Sequence, residues 1–282
     1  MKTLVLSALM LAFTFGATAQ IQAPQPSPLG KLEQKVGLTD VTVEYSRPNM
    51  KGRTIFGDLV PFDKMWRTAA NKNTMVSFSD DVVIDGQTLK AGTYALFTKP
   101  GAANWDVYFY TDTENWGVPQ KWDDSKVAAK ITVPVVKLPM TIETFTFMVN
   151  DLSNGGANLA IIWEDTYVAI PFTVPTDSKV SASINKVMSG PSSDDYYAAA
   201  VYYMEEGKDI KKSAEWIDKA VDMTKDKPRF WYHRQQSLIH AKAGNKKEAI
   251  AAAKASLAGA KEANNADYIK MNEASLKEWG AM

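Results

Sequence analysis

The side chains best suited to chemistry in this sequence are cationic and aromatic, and they cluster in one stretch. The cluster holds seven candidate ligand-binding residues: Tyr45, Arg47, Lys51, Arg53, Trp66, Arg67 and Asn71. A guanidinium group binds carboxylate or phosphate through paired hydrogen bonds, and an aromatic ring stacks on a sugar or on an arginine. If the loops converge, the cluster predicts a site for an anionic or sugar-like ligand. Under the alternative interpretation, the arginines brace loops by binding backbone carbonyls and Asp58 or Asp63.

A second group combines aromatic rings with carboxylates. It consists of three tryptophans and four acids: Trp105, Trp116, Trp122, Asp112, Glu114, Asp123 and Asp124. Such combinations are typical of sugar-binding clefts, and two carboxyl groups roughly 5 to 10 Å apart can hydrolyse a glycoside. The alternative is that the tryptophans are core residues and the acids are solvated on loops.

Histidine and cysteine chemistry is nearly absent. The chain has 0 Cys, which excludes disulfides, thiolate metal sites and thiol nucleophiles. Its 2 histidines, His233 and His240, are separated by a rise of about 10 Å on a predicted helix, so one metal ion cannot bind both. The segment before residue 176 therefore lacks triad and His-ligated zinc chemistry, and it has no glycine-rich phosphate loop. The sequence predicts no metal site, no cofactor and no catalytic residue.

The N-terminal residues predict export. Lys2 supplies a positive charge, an apolar run spans residues 4–15, and Ala17-Thr18-Ala19 matches the small-x-small cleavage pattern. A transmembrane helix needs about 20 apolar residues, and this run is shorter. We interpret residues 1–19 as a cleaved signal peptide and residues 20–35 as an extended leader. No later segment reaches membrane-spanning length, so we expect a periplasmic or extracellular chain without an integral membrane segment.

The balance of charge argues against nucleic acid as a partner. The 32 Lys and Arg residues are matched by 32 Asp and Glu residues, and neither half of the chain is strongly charged. Binding to a phosphate backbone requires a basic face. Hydrophobic residues make up 45% of the chain, which is enough to build two domains without disulfides.

Residues 36–175 carry the pattern of an antiparallel β-domain. Apolar and polar residues alternate in short segments at 41–46, 74–78, 93–98, 105–110, 129–136, 141–149, 158–164 and 167–174. Asp85-Gly86, between two apolar runs, predicts a two-residue hairpin. Short strands without intervening helices favour a β-sandwich or jelly roll, because a parallel sheet requires crossover helices.

Residues 192–282 change to a helical pattern. Helices are predicted at 194–206, 208–224, 230–243, 246–262 and 267–279. Ile217 and Ala220 correspond to Ala253 and Ser256 at an offset of about 36 residues, close to the tetratricopeptide period of about 34. We therefore expect an α+β protein of two domains, the second a small TPR-like array of helical hairpins that offers a surface to a protein partner.

Several short motifs between residues 45 and 105 are distinctive. They run in the order Tyr-Ser-Arg-Pro at 45–48, Lys-Gly-Arg at 51–53, Ile-Phe-Gly at 55–57, Leu-Val-Pro at 59–61, Trp-Arg-Thr at 66–68 and Ala-Gly-Thr-Tyr at 91–94. Their order and spacing resemble a bacterial family known as domain of unknown function 2911, over roughly residues 27–174. The resemblance implies an exported β-domain, in some members followed by helical repeats, and no established activity. Ala69 and Lys72 stand where the family pattern usually has Gly and Glu, so no role for an acid at position 72 carries over.

The sequence favours binding over catalysis. The missing catalytic residues and the helical array support an exported, non-enzymatic binding or envelope-associated protein, with a ligand or partner at the β-domain and a protein partner at the helices. The alternative is a carboxylate-dependent hydrolase acting on polysaccharide. A third interpretation is a structural component of a larger envelope complex.

We expect the exported chain to begin at Gln20, because Ala19 ends the cleavage pattern. Intact mass of the protein from envelope and medium fractions measures this. Ala19→Tyr should block cleavage by removing the small residue, whereas Thr18→Tyr, at the unrestricted middle position, should be processed normally. An envelope protein whose mass retains residues 1–19 would contradict the prediction.

Overall fold

The computed structural model describes residues 23–188 and 190–282 and separates the chain into two units, residues 1–175 and 176–282. The predicted signal peptide, residues 1–19, and the first residues of the leader lie outside the described residues. We call the described residues before 176 the β-unit and those from 176 onward the helical unit.

The β-unit is a 9-stranded antiparallel sheet with the strand order β1-β2-β3-β6-β7-β8-β9-β4-β5. Its strands are β1 Leu29–Val36, β2 Thr39–Ser46, β3 Ala70–Phe78, β4 Val82–Ile84, β5 Gln87–Leu89, β6 Gly92–Pro100, β7 Asn104–Tyr110, β8 Val127–Asn150 and β9 Gly156–Thr173. The hairpin predicted at Asp85-Gly86 is confirmed: Ile84 pairs with Gln87, and both turn residues have positive φ, which this tight turn requires.

The long strand β8 joins two halves of the sheet. Up to Pro134 it pairs with β7, and from Val135 onward it pairs with β9. Proline has no N–H to donate to a ladder, and it lies where the strand changes partner. The sequence predicted two strands where β8 runs and two where β9 runs. The interruptions between them are β-bulges within continuous strands, one of them between Lys137 and Ile142 of β8.

The two halves pack face to face around one aromatic and aliphatic core. Phe78 of β3 contacts Phe172 of β9, with ring centroids 5.6 Å apart, although these strands are not neighbours in the sheet. The later part of β8 also reaches the segment after β2, because the amide of Phe145 donates to the carbonyl of Pro48 at 2.9 Å. The β-unit is thus a sandwich made from one folded sheet, which fits the predicted antiparallel architecture.

The stretch predicted as an extended leader contains a strand. Residues 29–36 form β1, which pairs with β2 along its whole length at the edge of the sheet. The prolines before residue 29 and the charges at Lys31, Glu33 and Lys35 obscured the alternation. Charged side chains are common on such edge strands, because they discourage pairing with other chains.

The helical unit contains six helices among the described residues. They are α1 Thr176–Val187, α2 Ser193–Glu205, α3 Ile210–Asp222, α4 Phe230–Lys242, α5 Lys246–Glu262 and α6 Ala266–Glu278. Helix α1 occupies a stretch that the sequence left unassigned, because it has few apolar residues and only Thr176 is buried. Ser192 caps α2 through a capping box with Asp195, as Ser192 or Ser193 was expected to do. In the part of the chain that the structure covers, no helix has the length and hydropathy needed to cross a membrane.

Small side chains let the helices approach closely. The core that joins α2, α3 and α4 includes Ala200, Ala214, Ile217, Ala220 and Tyr232. Consecutive helices contact each other, and α4 also contacts α2 and α6. This arrangement places a face of α4 beside α6.

We expect residues 20–176 to fold without the helical unit, because the described core of the β-unit consists only of residues 36–174. Circular dichroism of the fragment should show a β-type spectrum with a cooperative thermal transition. A fragment ending at residue 168 serves as the control: it lacks buried Ile170 and Phe172 and should not fold. If residues 20–176 also remain unfolded, the helices must complete the β-core.

Candidate functional site

Arg47 follows β2 and ties it to the later part of β8. Its Nε donates to the carbonyl of Phe145 at 3.3 Å, and its Nη2 donates to Oγ1 of Thr146 at 2.9 Å. Its guanidinium also lies 5.9 Å from the ring centre of Tyr45. These contacts join chain segments about a hundred residues apart, so Arg47 has a bracing geometry.

Arg53 and Lys51 belong to the loop after β2. Arg53 donates from Nε to the carbonyl of Met50 at 2.8 Å and from Nη2 to the carbonyl of Asn49 at 2.7 Å. The side chain of Lys51 is exposed, and its backbone amide donates to Oε1 of Glu143 at 2.8 Å. The acceptors of Arg53 are backbone carbonyls, and neither Asp58 nor Asp63 takes part.

The aromatic candidates lie in the interior. Trp66 is 9% exposed and stacks on Trp163, with centroids 6.2 Å apart. The hydroxyl of Tyr45 accepts from the amide of Phe147 at 3.1 Å. Asn71 donates to the carbonyl of Ser27 and to Oγ of Ser46. The seven candidate residues therefore do not converge on one open pocket.

Arg67 differs from the other two arginines. Trp66 pairs with Thr98 of β6, so the next residue lies beside Phe97. Because side chains alternate between faces and Trp66 points into the core, Arg67 points to the outer face of the sheet. There its Cδ is 4.0 Å from the position that a Cβ on Gly117 would occupy.

The guanidinium of Arg67 has no hydrogen bond or ion pair to any described residue. Its Nε is buried without a partner. Its two Nη atoms are not among the buried unpaired atoms, so they reach solvent at the surface. Arg67 therefore presents its terminal donors to solvent, while its Nε is buried.

Asn73 is a second polar group without a partner on the same face. It is 2% exposed, and neither its amide oxygen nor its nitrogen has a hydrogen bond within the described part of the chain. Burying an amide in this way costs roughly 1 to 3 kcal/mol. It lines a cavity of ≈ 370 Å³ together with Glu44, Lys72, Met75, Ser77 and Thr93. No sequence pattern points to Asn73, since a polar residue on an alternating strand suggests exposure to solvent.

The loop of residues 111–126 covers part of this face. Trp122 anchors it by stacking on Tyr110, with centroids 4.5 Å apart, and by edge contacts with Phe97 and Tyr108. Trp116, next to Gly117, is 79% exposed. We call Arg67, Lys72, Asn73 and Trp116 the outer-face site; a long contact of 3.9 Å between Lys72 and Glu114 connects the strand to the loop.

The nearby acids are engaged with cations and donors. A side-chain hydrogen bond from Lys126 lowers the pKa of Asp112, and one from Ser125 lowers the pKa of Asp123. Burial raises the pKa of Asp106, but hydrogen bonds from Thr132 and Lys130 outweigh it and lower the pKa. A glycosidase acid requires a raised pKa, because it must carry a proton near neutral pH. These acids lack that property.

The three tryptophans of the proposed sugar cleft also separate. Trp105 is 1% exposed and lies in the core, with its ring centroid 4.9 Å from that of Phe56. Trp122 lies on the outer face of the sheet, and Trp116 extends into solvent. Of the tryptophans, only Trp116 therefore offers most of its ring to a ligand.

The two histidines line one cavity in the helical unit. His240 is 5% exposed, and its Nε2 is 2.8 Å from Oδ1 of Asp218. That hydrogen bond raises the pKa of His240 despite the opposing effect of burial. The cavity, of ≈ 470 Å³, also includes His233 and Glu248. Among the described residues, no group of three or more metal-ligating side chains could hold a metal ion.

We expect Arg47→Ala and Arg53→Ala to lower the free energy of unfolding by about 1 to 2 kcal/mol each, because each leaves its carbonyl or hydroxyl acceptors without a donor. Arg67→Ala should leave stability unchanged or raise it, since it removes a buried, unpartnered Nε. Urea denaturation of the three variants measures the difference. If all three variants lose the same free energy of unfolding, Arg67 also braces the fold.

The family comparison agrees with the motifs of the β-unit. A family model described as protein of unknown function (DUF2911) matches residues 27–174, more than half of the chain. No curated protein and no solved structure matches the chain significantly. The match begins just before β1 and ends just after β9, so it spans the whole described sheet. The chain therefore belongs to the DUF2911 family.

Proposed function

We propose that this chain is an exported, non-enzymatic binding protein whose β-unit holds an anionic, sugar-like ligand at the outer-face site. The observation that carries the proposal is Arg67, whose guanidinium is held in place but has no partner among the described residues. An unpaired guanidinium favours a carboxylate or phosphate as its partner. Export rests on the signal-peptide pattern of residues 1–19.

The other residues of the site favour a sugar acid. Asn73 holds an unpartnered donor and acceptor at the wall of the neighbouring cavity, and these are the two kinds of partner that a sugar hydroxyl needs. Trp116 exposes a broad aromatic surface on which a sugar ring can stack, and Lys72 adds a positive charge. A uronic acid combines the carboxylate, the hydroxyl groups and the ring that these side chains would bind.

The helical unit has a different role in this proposal. Its consecutive helices pack against one another, and we take them as a TPR-like array, in which stacked hairpins present a continuous surface. We infer that this surface binds a protein partner and so places the ligand-binding unit within the envelope.

The alternative of a polysaccharide hydrolase has less support. Asp106, Asp112 and Asp123 all have lowered pKa values, and each is hydrogen-bonded to a cation or a hydroxyl. An enzyme of this class would need one carboxyl group that stays protonated near neutral pH. The binding proposal requires no protonated carboxyl group, because it depends on the unpaired donors of Arg67.

A thermal-shift assay, which measures the melting temperature of the mature chain with and without each sugar, tests which ligand binds. Glucuronate and galacturonate should raise the melting temperature, and neutral glucose and galactose should not. Ligand at a hundredfold excess over Kd stabilises by about 2.7 kcal/mol. Arg67→Gln should abolish the shift, whereas Arg53→Gln should lower the starting temperature and retain the shift.

The outcomes separate the two functions. The binding site is supported if the ligand-induced rise in melting temperature is lost in Arg67→Gln and retained in Arg53→Gln. A wild-type protein that responds to no sugar acid or sugar phosphate contradicts it for these ligands. Release of reducing sugar from a uronic-acid polymer would instead favour the hydrolase.

A further inference from the structure

Arg234 in α4 is a second guanidinium without a counter-charge. Its Nη1 donates to Oγ of Ser275 at 3.0 Å and makes a long contact of 3.5 Å with Oδ1 of Asn272, both in α6. Both acceptors are neutral. No carboxylate of a described residue forms an ion pair with Arg234.

The remaining nitrogens of Arg234 are left without partners. Nε is buried and has no hydrogen bond to the residues that the structure describes. Nη2 also has no hydrogen bond, and it is not among the buried atoms, so solvent reaches it. Burial lowers the pKa of Arg234, and only Tyr268 opposes this effect. A carboxylate at Nη2 would supply the missing negative charge.

The surroundings of Arg234 add apolar surface. Trp231 lies three residues earlier in α4 and is therefore on the same helix face. It is 38% exposed, and Met271 in α6 is 39% exposed. Met271 lies four residues before Ser275 and shares its face of α6. The helix faces that carry Arg234 and Ser275 thus also carry an exposed aromatic and an exposed thioether side chain.

We propose that this face of α4 and α6 binds an acidic peptide segment of a partner protein. A carboxylate of the segment binds Nη2 of Arg234, and an adjacent aliphatic side chain packs on Trp231. The inference rests on the proposed role of the helical unit as an interaction surface and names the chemistry of its partner. Arg229 of the same unit does not offer such a site, because it is already paired with Asp194 at 2.6 Å.

Fluorescence anisotropy with the full mature chain tests the inference. The probe is a short labelled peptide of alternating Asp and Leu, and its control replaces every Asp with Asn. We expect the acidic peptide to bind and the amide peptide to bind at least about tenfold more weakly, the equivalent of one charge-assisted hydrogen bond. Arg234→Met should weaken binding of the acidic peptide by a similar factor.

Three variants control for other causes. Arg234→Lys keeps the positive charge and should retain part of the affinity for the acidic peptide. This variant distinguishes the loss of the charge from a loss of stability in Arg234→Met. Arg229→Met removes a paired arginine near the start of the same helix and should leave binding unchanged. Arg67→Gln tests the outer-face site: if it lowers the affinity and Arg234→Met does not, the peptide binds the β-unit and the inference is overturned.

Two further results with these peptides would overturn the inference. One is that the wild type binds neither peptide, or binds both equally. The other is that Arg234→Met binds the acidic peptide as well as the wild type does. A partner captured equally by the wild type and by Arg234→Met would overturn the acidic-peptide inference while the interaction role of the helical unit stands.

Discussion

Burial of Trp66 is the constraint on which the candidate site depends. Its ring packs between Trp163, Trp105 and Phe145, and its backbone exchanges two hydrogen bonds with Thr98. Since both the side chain and the backbone are fixed, the residue that follows can only project from the opposite face. The position of Arg67 is therefore a consequence of core packing, and its free donors are held without help from a carboxylate.

The sequence predicted the class of fold well and the site only in part. Alternation and helical periodicity are local signals, so the β-unit, the helical unit and the Asp85-Gly86 turn could be predicted. The acceptors of Arg47 are about a hundred residues away, and no local pattern reveals them. Asn73 was missed because its burial results from tertiary packing, which alternation does not encode. Likewise, β1 and α1 depend on their neighbours for stability more than on their own composition.

The motifs that the chain shares with its family divide into two kinds. Thr68 and Thr74 are fully buried, and their hydroxyls bond within the fold: Thr68 to Thr98, and Thr74 to the carbonyl of Thr68. These residues maintain the irregular segment that leads into β3. Arg67 precedes these residues, and its side chain donates to no backbone carbonyl in the described part of the chain. Arg234 presents the same contrast in the helical unit, where its neutral neighbours position it without neutralising it.

The path of β8 has a consequence for how the β-unit opens. One strand supplies the last ladder of the first half of the sheet and the first ladder of the second half. The two ladders use different segments of β8, but these segments belong to one continuous strand, so moving either half displaces the strand to which the other half is bonded. Local opening is therefore confined to the edges at β1 and β5, and the interior strands should exchange their amide hydrogens only through global unfolding. Such coupling gives the surface that carries Arg67 a rigid support, even though a loop covers part of it.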